Sequence, residues 1–276
     1  MNRRIIEENI FKFLMIASLC VVLGSLFIIF GLVAVNGISS LSIQMLTHTA
    51  DDPLSGGILN AIIGSLLLVL PATFFASLIA IGIALYLQSD FLHPGISNSI
   101  RFMLDVLWGV PSIVYGIFCF TIMVYLGMRA SILWGMIALT LLEIPIITRY
   151  TDESIQMVPI GLKEGAYSLG STKFETAVNV VRRQAFPGIL AGILLGLGRG
   201  IGDAASIMFT AGSLERIPTS IFDQTATLPI TIFKLFNTPA EQSKAYAAAF
   251  ILLTIVIIIS VCSRLLTRRF KKHIIK

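Results

Sequence analysis

The chain has 276 residues, 56% hydrophobic and 13% charged, with a mean hydropathy of +0.90 and a formal net charge of +5. A water-soluble domain of this length carries about 25% charged residues, so that class is excluded. The apolar residues fall in runs of roughly 20, the length that crosses a bilayer, which makes this an all-α, polytopic membrane protein.

Six spans are expected, in order Phe13–Val35, Leu59–Leu87, Phe102–Leu126, Ile132–Ile147, Phe186–Phe209 and Ala247–Leu266. The first is long for a signal-peptide core, and no small-residue cleavage site precedes Asn36, so it reads as a retained span. Residues 1–58 therefore form a first helix and an external connector ending in "DDPLSGG", residues 59–266 a five-helix core, and residues 267–276 a basic tail. In the third span Pro111 predicts a bend, and Arg101 and Asp105 are spaced to pair along one helix. Glu143 and Pro145 shorten the fourth, and Glu143 either faces the pathway or, the preferred reading, sits at the membrane interface.

Charge sets the orientation. Of the 20 Lys and Arg, fifteen lie in the N-terminus, the tail and one set of loops, four lie in the other set, and Arg199 falls inside a span. The positive-inside rule then puts both termini in the cytoplasm, as an even number of spans requires. The same distribution explains the net charge without nucleic acid. Cys20, Cys119 and Cys262 and the three His have no metal-ligand spacing, so neither a disulfide framework nor a metal site is expected.

The cytoplasmic connection 149–185 is too polar to span. Its periodicity predicts a short amphipathic helix near Ile160–Gly170, a turn at "LGST", and a second helical piece over Thr172–Val181. "GAYSLGST" (Gly165–Thr172) approaches the phosphate-cradling loop but has Ser171 in place of its lysine, which leaves phosphate charge uncompensated. "GLGRGIGD" misses the dinucleotide spacing, with Asp203 where the third glycine belongs. The chain is not expected to bind ATP or any other cofactor itself.

"EGAYSLG" (Glu164–Gly170), followed by Pro187-Gly188, resembles the cytoplasmic "EAA" loop of ABC-importer permeases. "GGILNAIIGSLLLVLPA" (56–72), "GVPSIVYGIF" (109–118), "IPIITRYTDESIQMVP" (144–159), "GRGIGDAASIMFTAG" (198–212) and "LPITIFKL" (228–235) narrow the likeness to PstA-type phosphate permeases, in register from about residue 56 to 260. The resemblance implies a type I ABC-importer permease fold in the cytoplasmic (inner) membrane. It also implies a coupling helix, with Glu164, Gly165, Ala166 and Gly170 in contact with an ATP-binding subunit. Implied partners are a second homologous permease (PstC-type), two ATP-binding subunits (PstB-type) that hydrolyse the ATP, and an extracytoplasmic phosphate-binding protein (PstS-type), besides membrane lipid. Three departures stand out: Gly165 for the middle alanine, Arg182-Arg183 for Leu-Pro, and Asp203 for glutamate.

Read as one continuous helix, the fifth span puts Arg199, Asp203, Ser206 and Thr210 on a polar stripe at i, i+4, i+7 and i+11. Beside it, Gly188, Gly192, Gly196, Gly200 and Ala204 form a small-residue ladder that admits another helix closely. Arg199 would lie roughly 20 Å into the bilayer by helical rise. Two readings stay open: a structural Arg199–Asp203 ion pair, or a hydrated anion path in which Arg199 offers its planar fork to phosphate oxygens and Asp203 holds it in place. Another tetrahedral oxyanion (sulfate, molybdate or tungstate) is the nearest alternative cargo. A lipid-phosphate hydrolase needs a clustered nucleophile and base, which the sequence lacks, and a pure scaffold leaves the "EGAYSLG" loop unexplained.

Overall fold

The computed structural model describes residues 3–52, 56–88 and 90–271. These contain α1 (Arg3–Ser40), α2 (Ile43–Thr47), α3 (Leu59–Tyr86), α4 (Pro94–Gly109), α5 (Ser112–Tyr125), α6 (Ile132–Gln156), α7 (Ile160–Ser168), α8 (Lys173–Glu175), α9 (Arg182–Gly202), α10 (Leu228–Phe236) and α11 (Gln242–Lys271), with no strand among the described residues. A π-helix over Thr176–Val181 joins α8 to α9, and a 3₁₀ turn over Pro239–Glu241 precedes α11. Among the described residues five helical stretches are long and apolar enough to cross a bilayer, and six if the bent pair α4 and α5 is taken as one span.

The centre of the chain is α6 packed between α3 and α9. Ala72, Ala76, Ala80 and Ala84 recur every four residues on α3 and are all fully buried, while Phe74, Phe75 and Leu78 point outward. Small side chains on one stripe let backbones approach; large ones on the other present apolar surface to the bilayer. Leu68, Val69, Leu139, Leu142, Ile201 and Ile207 fill the space between the three helices. On the outside, α1 lies against α11, with Gly37 under Phe250.

Three spans differ from the expectation. The third is no single helix: it breaks at Val110-Pro111, and α4 and α5 meet at 95°. Proline lacks the N–H and bars the preceding residue from helical backbone, which Val110 shows at φ −68°, ψ 130°. The fourth runs on to Gln156, about 37 Å in all by helical rise, so its last turns stand clear of a ~30 Å hydrocarbon core. The fifth ends at Gly202, short of Phe209.

Beyond Gly202 the chain folds back without helix as far as Thr227. Its backbone closes over the start of α6: Ser131 N–H donates to Thr210 O (2.8 Å), Ile132 N–H to Asp223 O (2.9 Å) and Leu133 N–H to Ile221 O (3.0 Å). A helix N-terminus leaves N–H groups without partners, and these carbonyls satisfy them. Asp223 fixes the bend by accepting from Thr219 N–H and Ser220 N–H at 2.9 and 3.0 Å and from the Thr219 hydroxyl at 3.0 Å. Those bonds, led by the Thr219 amide, hold its carboxyl below the ordinary aspartate range.

The expected Arg101–Asp105 pair does not form. Arg101 reaches across to Asp152 on α6, donating at 2.8 and 3.1 Å, and Asp105 pairs with Arg149 at 3.4 Å. The α4–α6 packing thus replaces a local contact with two long-range ones.

Candidate functional site

The glycine ladder on α9 meets α6 residue for residue. A Cβ at Gly188 would strike Ser154, one at Gly192 would lie 2.8 Å from Tyr150 Cβ, one at Gly196 2.8 Å from Ile147 Cγ1, and one at Gly200 would run into the Glu143 carboxyl. The partners descend along α6 as the glycines ascend along α9, an antiparallel seam in which no side chain larger than hydrogen fits. Ala204 lies beyond the helix end and takes no part in it.

Glu143 is fully buried in this seam. It sits mid-helix, which overturns its assignment to the interface. Its Oε1 faces Gly200 and its Oε2 lies toward Gly196, and neither has a hydrogen bond of ordinary geometry. The sequence carries a signal here, a lone carboxylate within an apolar run, but not the glycine face opposite it.

Arg199 occupies the last turn of α9, where a cation is favoured by the helix dipole. Its side chain is exposed and close enough for its charge to act on Tyr115 of α5. Among the described residues it makes no ion pair, and the expected Arg199–Asp203 pair is absent. Asp203 is the C-cap, extended at φ −81°, ψ 126°, so the continuous stripe at i, i+4, i+7 and i+11 does not exist. Its carboxylate accepts from Ser206 N–H at 2.8 Å and from the Ser206 hydroxyl. Ser206 and Thr210 are fully buried, and the Thr210 hydroxyl donates to Ser206 O at 3.1 Å. The structure therefore brings Arg199 and the half-buried Asp203 to one end of α9 and puts Ser206 and Thr210 inside the turn that supports them.

On the opposite side stands α7, with Pro159 at its N-cap and none of its residues buried. Glu164, Gly165 and Gly170 are exposed and Ala166 is half-buried. The helix ends in a Schellman motif: Ser171 N–H donates to Ala166 O (3.1 Å) and Gly170 N–H to Tyr167 O (2.9 Å), with Gly170 at φ 84°. Thr172 then starts the next helix with a reciprocal capping box to Glu175. Leu169, 90% exposed, is joined by Met157, Ile160 and Phe174 as large apolar side chains left exposed at and around α7. The connection 149–185 is thus mostly helical, its middle formed by α7. It returns to the membrane through the π-helix, and Arg182 Nε donates to Val178 O across that junction at 3.2 Å.

Residues 79–272 match the family described as the inner membrane component of binding-protein-dependent transport systems. The chain belongs to that family. Among its relatives, the phosphate transport system permease protein PstA of Yersinia pestis is 35% identical over 242 residues, covering 86% of this chain and 82% of that protein. The probable PstA of Methanocaldococcus jannaschii is 31% identical over 264 residues, covering 94% and 92%. Solved structures share the fold at low identity. A chain of the MetNI methionine ABC transporter, in an inward-facing conformation, aligns with TM-score 0.64 at 14% identity, over 80% of this chain and 99% of that one. A chain of a bacterial alginate ABC transporter aligns at 0.66 and 13%, over 96% and 98%.

In this inner membrane component the glycine at the end of α7 has a conformational reason. A left-handed φ at Gly170 is open to glycine and resisted by β-branched residues. Space is not the obstacle, since a Cβ placed there would have no atom within 4 Å. Gly170→Val is expected to unravel the Schellman turn, lower transport and loosen attachment of an ATP-binding subunit, with insertion into the membrane unchanged. Co-purification of the complex and uptake in vesicles check this; uptake at the wild-type rate would show that the turn is dispensable.

Proposed function

We propose that this chain is a permease subunit of an ATP-driven importer that moves inorganic phosphate across the cytoplasmic membrane by alternating access. The observation that carries the reading is Arg199: a guanidinium on a transmembrane helix, exposed at the surface of the single chain and unpaired among the described residues. An uncompensated cation at bilayer depth is unfavourable by several kcal/mol unless something anionic or aqueous reaches it. Its planar donor fork matches tetrahedral oxyanions, and its place at the chain's surface suits a path shared with a second permease. Asp203 and the buried Ser206 and Thr210 serve that path as the scaffold that ends α9 beside Arg199. The phosphate assignment follows the PstA relatives. A second permease of PstC type, two ATP-binding subunits of PstB type and a phosphate-binding protein of PstS type complete the complex, with both termini cytoplasmic. Glu164, Gly165, Ala166 and Gly170, together with the exposed apolar side chains around α7, form the docking surface for the ATP-binding subunit.

The test is ATP hydrolysis by the reconstituted complex with its binding protein. Phosphate is expected to stimulate it, and sulfate and molybdate are not. Stimulation by sulfate or molybdate with no response to phosphate would replace the cargo with another oxyanion.

A further inference from the structure

The coupling helix α7 meets the rest of the chain at Leu162, Lys163 and Tyr167 and along the π-helix. Leu162 packs on the apolar cluster of Ala84, Ile155, Val158 and Val181. Lys163 turns to the α3–α4 connection, donating to Gln88 Oε1 at 2.9 Å and to Asp90 Oδ2 at 3.3 Å. The lysine and aspartate side chains are 16% and 25% exposed, so this pair is better shielded from solvent than an open surface pair. Lys173, just past the α7 turn, donates to the Asp90 carbonyl at 2.9 Å. Tyr167, one turn along from Lys163, faces Asp90 as well: burial and then the Asp90 charge push its phenol above the ordinary tyrosine value. Three groups from both sides of the coupling turn therefore converge on Asp90.

The end of α3 beside them is tied to α4. Leu87 O, at the end of α3, accepts from the Ser97 hydroxyl of α4 and from Arg101 at 3.2 Å. Arg101 in turn clamps Asp152 of α6, which also accepts from Gln156 at 2.7 Å. A cavity of about 510 Å³ with mixed polar and apolar walls lies among Gln88, Ser97, Arg101, Asp152 and Lys163. Displacing α7 thus pulls on the corner where α3, α4 and α6 meet.

We infer that Asp90 is a positioning residue that transmits movement of the coupling helix to α3 and α4, through Lys163 and Lys173. The inference rests on the importer reading above and adds to it a named strut inside this chain. Without that strut, α7 would be joined to the core by Leu162, its flanking turns and its packing on the π-helix, with no direct tie to the α3–α4 corner.

The experiment measures phosphate moved per ATP hydrolysed by the complete complex in proteoliposomes. Asp90→Asn is expected to leave ATP hydrolysis and subunit attachment in place while phosphate per ATP falls about tenfold, the upper part of the range for substitutions along a coupling path. Lys163→Met should reproduce the loss, and the charge exchange Asp90→Lys with Lys163→Asp should recover most of it. An unchanged ratio in Asp90→Asn overturns the inference. So does loss of the ATP-binding subunit in step with transport, which makes the contact a mere prop, and so does an exchange that recovers nothing. A wild-type complex that hydrolyses ATP without moving phosphate would fail the cargo assignment instead. The strut would then be scored by ATP-dependent thiol labelling of a cysteine at Leu66 in α3, native cysteines having been replaced; a response in Asp90→Asn equal to wild type overturns it.

Discussion

Replacing Gly200 by alanine should cut the yield of assembled permease severalfold, and trimming Glu143 should restore it. The added methyl group has no free volume, because it would overlap the Glu143 carboxyl across the α6–α9 seam. Neither side can yield cheaply. Gly192 and Gly196 hold the same two helices together with their own Cβ positions already 2.8 Å from Tyr150 and Ile147, and Glu143 is enclosed on every side. Overpacking a well-filled interior costs about 1–3 kcal/mol, enough to lower the yield of intact complex severalfold. Glu143→Ala removes the obstructing atoms and, with them, a buried carboxyl with no hydrogen bond of ordinary geometry. The double variant should therefore return to near wild-type yield, a strong coupling in a double-mutant cycle. Size-exclusion yield and thermal midpoint of the detergent-solubilised complex measure both effects. Normal yield for Gly200→Ala, or failure of Glu143→Ala to rescue it, would mean that the seam opens in the assembled complex.

Arg199→Lys is the second large effect, and it acts on transport while sparing assembly. Lysine keeps the charge but replaces a planar fork with a point donor. Losing one charge-assisted hydrogen bond is worth about 1.5–3 kcal/mol, so uptake should fall roughly ten- to hundredfold. A structural ion pair would predict the reverse, with lysine tolerated and Asp203 indispensable. Since Asp203 caps a turn and does not pair with Arg199, Asp203→Asn should leave the amount of complex nearly unchanged. Uptake assays alongside quantified complex decide the matter: a lysine variant that transports at the wild-type rate removes Arg199 from the path.

The spans that can be read from sequence are those whose hydrogen bonds close within the segment. An apolar run such as Leu59–Leu87 satisfies its own backbone as a helix, and α3 ends within a residue of that boundary. The small-residue ladder is legible for the same reason, because a period of four on one helix is a local property. What stays hidden depends on distant partners. Residues 203–227 leave the helix because their carbonyls are taken by Ser131, Ile132 and Leu133, some 80 positions earlier in the chain. Nothing in "GRGIGDAASIMF" marks that loss, since its apolar spacing fits a helix equally well. Helical spacing alone pairs Arg101 with Asp105, whereas the fold offers it the better-buried Asp152. At α7 the turn chemistry is local, so the left-handed backbone of Gly170 is legible in the chain, while the Asp90 beneath the helix is not.

The contrast between α1 and α3 bears on how this sequence is free to change. None of the most apolar stretch of α1 is buried within the chain. Selection on that helix acts through a bulk quantity, the free energy of placing it in an apolar medium, to which leucine, isoleucine, valine and phenylalanine contribute almost interchangeably. Most positions there are thus degenerate, and drift among these residues is close to neutral; Gly37, pressed against Phe250, is the exception. Along α3, Ala72, Ala76, Ala80 and Ala84 are each specified by shape, so a change of one methylene is felt. Two helices of nearly equal greasiness therefore carry very different amounts of information, and hydropathy alone does not distinguish them.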